Sequence, residues 1–244
     1  MLIDDLRGAY FILLKDLKAY YFKPPNISWG ILFPLVLTLA FTLRNPADLA
    51  GLAPGLIAMA AVFGTTSMEA IVITFERRTG ALERLFMAPI STGSILAAKI
   101  LGGAVFGLMI SGVMTAISIA LLGMRVADPL GFSASLLLTL LALSALGALV
   151  AVSVKEVFEA QTLSNYFRFP MIFLCGVFIP VEAMPTPLRV LAHLLPLTYS
   201  VDALRITTSY PTHLPALIID ITALCLFLAI FLTASSRVLK RSFQ

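Results

Sequence analysis

Six blocks of this sequence are apolar for long enough to cross a lipid bilayer, and that feature leaves room for few kinds of fold. They cover 27–43, 52–75, 95–122, 130–154, 163–181 and 214–235. A hydrocarbon core about 30 Å thick is crossed by about 20 helical residues. Inside it, each backbone N–H and C=O needs a partner from the protein, so helices are the expected spans. Composition agrees. The 244 residues are 59% hydrophobic and only 12% charged, whereas a soluble domain carries about 25% charged residues. The expected fold class is all-α: a polytopic bundle of six transmembrane helices making one transmembrane domain over 1–244.

The segment before the first block is different in kind. Over 4–22, Leu6, Tyr10, Leu13, Leu14, Leu17 and Tyr21 recur every three or four residues, while Asp5, Lys15, Asp16 and Lys18 fall largely elsewhere. That spacing gives a helix with one apolar face. Such a helix suits the bilayer interface, although the same face could pack on a soluble partner. Pro24 and Pro25 stop it, because proline lacks a donor and blocks helix continuation. No small-residue cleavage site follows the first apolar block, so that block is expected to stay in the protein. Pro34 should bend the first span, and Pro54 should fall in the first turn of the second. Residues 44–48 read as a turn between them.

Charge sets the expected orientation. Of 17 Lys and Arg, twelve fall in segments on the amino-terminal side of the membrane and four on the other, with Arg168 ambiguous. The positive-inside rule then places both termini in the cytoplasm and the protein in the cell membrane. Net charge is +4. In this setting the basic excess belongs to cytoplasmic loops, and nucleic acid is not an expected partner. Small residues recur in the third and fourth spans, as at Gly103 and Gly107, Ser144 and Ala148, and Gly147 and Ala151. Such pairs let helix backbones approach closely.

Chemistry is sparse. The chain has no G-x-x-x-x-G-K-[ST] loop, no H-E-x-x-H and only two histidines, so a nucleotide or metal site carried by this chain is not expected. Any ATP and Mg would be bound by a partner. Cys175 and Cys225 lie in apolar runs and suggest packing rather than a disulfide. Three ionisable residues stand inside spans: Glu69, Arg168 and Asp220. A charge at the bilayer centre costs at least about 2.5–3.5 kcal/mol on insertion scales. Each is a candidate pathway group. The structural alternatives are a helix–helix hydrogen bond for Glu69, snorkelling to the interface for Arg168 and interfacial placement for Asp220.

The informative loop is 76–94. The stretch from Thr74 to Ser91 reads as making a short helix that ends before Pro89, with Leu82, Leu85 and Phe86 along one side and Glu83 and Arg84 polar. Such a helix could lie on the membrane or seat in a partner's groove; the residues alone fit both. Residues 182–213 form a long proline-punctuated loop at the opposite face.

Two stretches resemble a known family. Glu76-Arg77-Arg78-Thr79-Gly80-Ala81-Leu82-Glu83-Arg84-Leu85, then Pro89-Ile90-Ser91 and Lys99, looks like the loop after the second span in ABC-2-type transporter permeases. Gly176-Val177-Phe178-Ile179-Pro180, Met184-Pro185 and Leu195-Pro196-Leu197-Thr198-Tyr199-Ser200-Val201-Asp202-Ala203-Leu204-Arg205 resemble the same family's fifth span and outer hairpin. Together with the six spans the likeness covers nearly the whole chain, and is greatest to the drug and polysaccharide exporter branch. The resemblance implies a dimer of permeases, each on a separate ATP-binding subunit, with no catalysis in this chain. It implies that 80–87 is a coupling helix, with Leu82, Leu85 and Phe86 in the ATPase groove, Glu83 and Arg84 at its rim, and Glu76, Arg77 and Gly80 in the same contact. It also implies a route between the two permeases and short outer helices within 182–195. The competing expectation is an ion-coupled transporter or channel acting alone through Glu69 and Asp220.

Overall fold

The computed structural model describes residues 2–44, 49–211 and 213–242. All regular structure in them is helical. The expected turn at 44–48 falls mostly on 45–48, outside the described residues. The first helix, α1 (Leu2–Asp16), runs into a π-helical turn, Leu17–Tyr21. Pro24 then opens α2 (Pro24–Arg44), where a missing N–H costs nothing. Pro34 lies inside α2, and the Thr38 hydroxyl donates to its carbonyl at 2.7 Å.

Four further helices make the body: α3 (Leu49–Arg78), the short α4 (Ala81–Phe86), α5 (Thr92–Leu121) and α6 (Pro129–Ser153). Local sequence sets their ends. Ser91 caps α5 by accepting from the Ser94 N–H at 3.2 Å. Asp128 caps α6 by accepting from the Gly131 N–H at 3.0 Å, with Pro129 as its first residue. α7 (Val157–Leu174) starts with a reciprocal Glu156 and Glu159 capping box. It stops at Gly176, whose φ of 79° a side chain would resist. Its expected limits, 163–181, are therefore corrected: six residues precede that start, and 175–180 is not helical. Beyond lie α8 (Thr186–His193), α9 (Pro196–Thr208) and α10 (Leu214–Ser242). Short helices are thus present where 182–195 was expected to hold them. Pro54 falls in the second turn of α3, not the first, because the helix starts at Leu49.

Among the described residues, four helices are long and apolar enough to cross a membrane: α3, α5, α6 and α10. The apolar stretch of α2 is shorter, over Pro24–Ala40. α3 and α6 occupy the middle. In its most apolar stretch α3 is 83% buried inside the protein, against 17% for α10. α10 therefore offers most of its length to lipid, with Ile218, Ile219, Leu226 and Ile230 exposed. The central seam is tight because it is built on glycine. A Cβ at Gly64 would stand 2.8 Å from the Gly107 Cα, and one at Gly147 would stand 2.6 Å from the Thr66 carbonyl. The small-residue pairs seen in the sequence thus lie where α3, α5 and α6 meet.

Candidate functional site

α3 ends in a defined joint. Its last turn carries Arg77 and Arg78, and Gly80 then adopts φ 68° and turns the chain into α4. The Thr79 hydroxyl donates to the Phe75 carbonyl at 3.1 Å, and Arg84 Nε donates to the Gly80 carbonyl at 3.2 Å. The apolar side of α4 does not face outward. Leu82 is 3% exposed among Ile73, Leu96, Ile100 and Val150, and the half-buried Leu85 and Phe86 pack against the same group and against Ile12, Ile95 and Ala98. The expectation that Leu82 fills a partner's groove is corrected, because α4 buries it in its own bundle; Leu85 and Phe86 pack there too but keep part of their surface exposed. Arg84 and Met87 form the exposed edge, with Glu83 half-buried beside them.

Glu76 is also corrected. Its side chain is fully buried and forms no outer surface. Lys99, 2% exposed, donates from Nζ to Asp16 Oδ2 at 2.6 Å and to Glu76 Oε2. Lys15 donates to Glu76 Oε1 and stands 3.0 Å from Asp16 Oδ1. Two cations and two carboxylates thus close a neutral quartet across α1, α3 and α5. Burial pulls the Lys15 ammonium down, but Glu76 and Asp16 beside it more than offset that and hold it above its usual value. Next along α3, the Arg77 guanidinium donates to the Val154 carbonyl at 3.2 Å and caps the end of α6. The Ser91 N–H donates to Asp5 Oδ1 at 3.0 Å, tying α1 to the start of α5. α4 therefore hangs from a platform in which four helices are locked by charge and hydrogen bonds.

Sequence reasoning missed this quartet. In the sequence Lys99 reads as part of the loop that carries the family resemblance, and Asp16 as part of the polar side of the first helix. The available signal was Lys99 itself, an ammonium several residues into an apolar run, which needs a buried counter-charge.

Two turns back along α3 from Glu76 lies Glu69; Tyr21 is fully buried and its hydroxyl donates to Glu69 Oε2. Glu69 Oε1 has no hydrogen-bond partner among the described residues. Gly103 makes the room: a Cβ there would lie 2.7 Å from Glu69 Oε2 and closer still to Ser144 Oγ. Arg168 does not snorkel. It is 5% exposed, its guanidinium lies 4.4 Å over the Phe63 ring, and its Nε and Nη2 have no acceptor among the described residues. Asp220, in the second turn of α10, is 8% exposed rather than at an open interface. Glu69, Arg168 and Asp220 have separate neighbours, and no hydrogen bond or ion pair joins any two of them among the described residues. They form no continuous relay there.

A bundle with these apolar helices and a charge-locked loop helix at one end defines a multi-pass membrane protein. The comparisons give its family: the model described as ABC-2 type transporter matches residues 9–208, and the chain belongs to that family. That family is one of membrane components of ABC transporters, and the chain is a protein of the cell membrane. The inner membrane transport permease YadH of Escherichia coli K12 is 28% identical over 155 residues, which are 62% of this chain and 59% of that protein. The chain thus matches less than two thirds of that relative's length. Nodulation protein J of Bradyrhizobium diazoefficiens is 26% identical over 203 residues, 80% of this chain and 74% of that protein. The probable multidrug ABC transporter permease YbhS of Escherichia coli K12 is 24% identical over 203 residues, 81% of this chain and 48% of that protein.

Proposed function

We propose that this chain is the permease subunit of an ATP-driven exporter, working as a homodimer on two separate ATP-binding subunits that carry ATP and Mg. The observation that carries the reading is the seat of α4. A six-residue helix at the end of the buried α3 is fixed to the bundle by its apolar side and presents Arg84 and Met87 outward. A push on that edge passes into α3 directly and into α1 and α5 through the Lys99 quartet. Rigid contact of this kind lets one bound partner bias a two-state bundle.

In this reading α2 and α7 cross the membrane along with α3, α5, α6 and α10, giving six spans. α1 lies in the cytoplasmic interface, and both termini face the cytoplasm, consistent with the Lys and Arg distribution. The contact with the ATPase is made by Arg84, Met87 and Glu83 around Gly80, with Arg78 nearby, rather than by the apolar side of α4. The route for cargo runs between the two copies, beside α2 and α7. Their exposed apolar residues include Leu32, Val36 and Leu39 on α2, and Phe169 and Phe173 on α7. The relatives' names include multidrug transport, and an amphipathic cargo suits such walls.

The test is co-purification with the cognate ATP-binding subunit in mild detergent. The wild-type chain should retain it. Arg84→Glu with Met87→Asp, which alters only exposed positions, should lose it while still inserting and eluting as a folded protein. Unchanged retention by the double variant would remove α4 as the coupling element. No retention by the wild type would remove the ATPase-driven reading.

A further inference from the structure

The end of the bundle opposite α4 holds a cavity that the coupling reading does not use. It has a volume of about 460 Å³ and lies between α9, α10 and the segment joining them. Three carboxylic residues line it, Glu182, Asp202 and Asp220, together with Arg205, Ser209 and His213. Arg205 is already engaged. Its Nη2 donates to the Gly176 carbonyl at 2.9 Å, and its Nη1 stands 3.7 Å from Asp202 Oδ1. One guanidinium therefore faces three acids, and the lining is negative overall.

Asp220 is the decisive member. The residue is 8% exposed, its carboxylate makes no hydrogen bond or ion pair among the described residues, and it lines the cavity. A carboxylate removed from water without a partner is costly, and proteins of all kinds pair or ligate such groups. The acid instead faces an open volume. A metal ion is a poor match, because no cluster of three or more His, Cys, Asp or Glu side chains is set to hold one among the described residues. The volume fits a molecule of roughly ten to fifteen heavy atoms, since ligand pockets begin at about 300 Å³.

We propose that this cavity binds an organic cation bearing protonated amines, with Asp220 as the principal counter-charge and Asp202 and Glu182 as secondary ones. Ammonium N–H groups donate to the Asp220 carboxylate inside the cavity, and the two more open acids meet charge nearer the mouth. Ser209 adds a neutral acceptor at the rim. The site lies within one protomer and needs neither an ATPase nor a second copy, so it stands or falls separately from the coupling role of α4.

The experiment uses the purified full chain in nanodiscs of phosphatidylcholine, titrated calorimetrically with spermidine. The uncharged triethylene glycol, of the same heavy-atom count, serves as control. Saturable spermidine binding is expected, with none for triethylene glycol. Asp220→Asn should weaken spermidine binding at least tenfold, and Asp220→Glu, which keeps the charge, should retain it. Asp202→Asn should weaken it several-fold. Each variant is first checked as monodisperse by size exclusion. If Asp220→Asn does not give a folded protein, Asp220→Glu and Asp202→Asn still decide. Absence of binding by the wild type, equal binding of the neutral control, or equal affinity in Asp202→Asn and a folded Asp220→Asn would each overturn the proposal.

Discussion

The two ends of this bundle handle buried charge in opposite ways. At the α4 end, Lys15, Asp16, Glu76 and Lys99 satisfy one another, and the three most buried of them are almost wholly enclosed. At the α9–α10 end, Asp220 is 8% exposed and has no hydrogen-bond or ion-pair partner among the described residues. A neutralised cluster joining three helices is a joint, since it resists separation of the pieces that carry it. An unneutralised acid beside a cavity joins nothing, and its cost is offset only when something enters. On the roles proposed above, the contrast separates a place that transmits force from one that receives a ligand.

The strongest way to break that contrast is Lys99→Met. It leaves Asp16 and Glu76 buried together with only the half-exposed Lys15 to serve both. Removing one member of a buried ion pair costs about 3–5 kcal/mol. A large fall in the thermal unfolding midpoint in detergent is expected, and the triple variant Asp16→Leu, Glu76→Met, Lys99→Met should recover most of it. A Lys99→Met protein as stable as wild type would mean that the quartet is no joint.

Next in size is Gly103→Ala, where the new methyl would press on Ser144 Oγ and Glu69 Oε2. Overpacking of this kind costs about 1–3 kcal/mol, read by the same melt. Tyr21→Phe should cost about 1–3 kcal/mol, because it leaves Glu69 with neither oxygen bonded. The smallest effect sharpens the comparison most. Asp220→Asn should leave the midpoint unchanged or raise it slightly, since no interaction is lost and a buried charge is removed. A clear drop would show that the protein itself holds Asp220, and the two ends would then be alike.

Much of the architecture could be read in advance, for a physical reason. The limits of α5 and α6 follow from Ser91, Asp128 and Pro129 and from unbroken apolar runs, all of them local signals. The end of α4 was legible in Pro89, but the break before it was not: residues 76–78 continue α3, and Gly80 makes the turn. The direction α4 faces was not legible either. Leu82, Leu85 and Phe86 make a stripe that fits a partner's groove or the chain's own bundle equally well, and only the tertiary position of Leu96, Ile100 and Val150 decides. Pairing across distance was hidden for the same reason. Asp16 and Lys99 are 83 positions apart, and each has an innocent local explanation. Arg168 misled in another way. Snorkelling is the ordinary behaviour of arginine near a span end, but Phe63 offers its ring face to the guanidinium instead.

The way α4 is mounted has a consequence for how such a subunit changes over generations. Leu82 is packed among neighbours within its own chain, whereas Arg84 and Met87 are exposed and, in the proposed complex, answer to the partner that docks there. Drift at the second pair can follow a new companion without disturbing the first, so allegiance to a motor can be rewritten while the machine it drives keeps its shape.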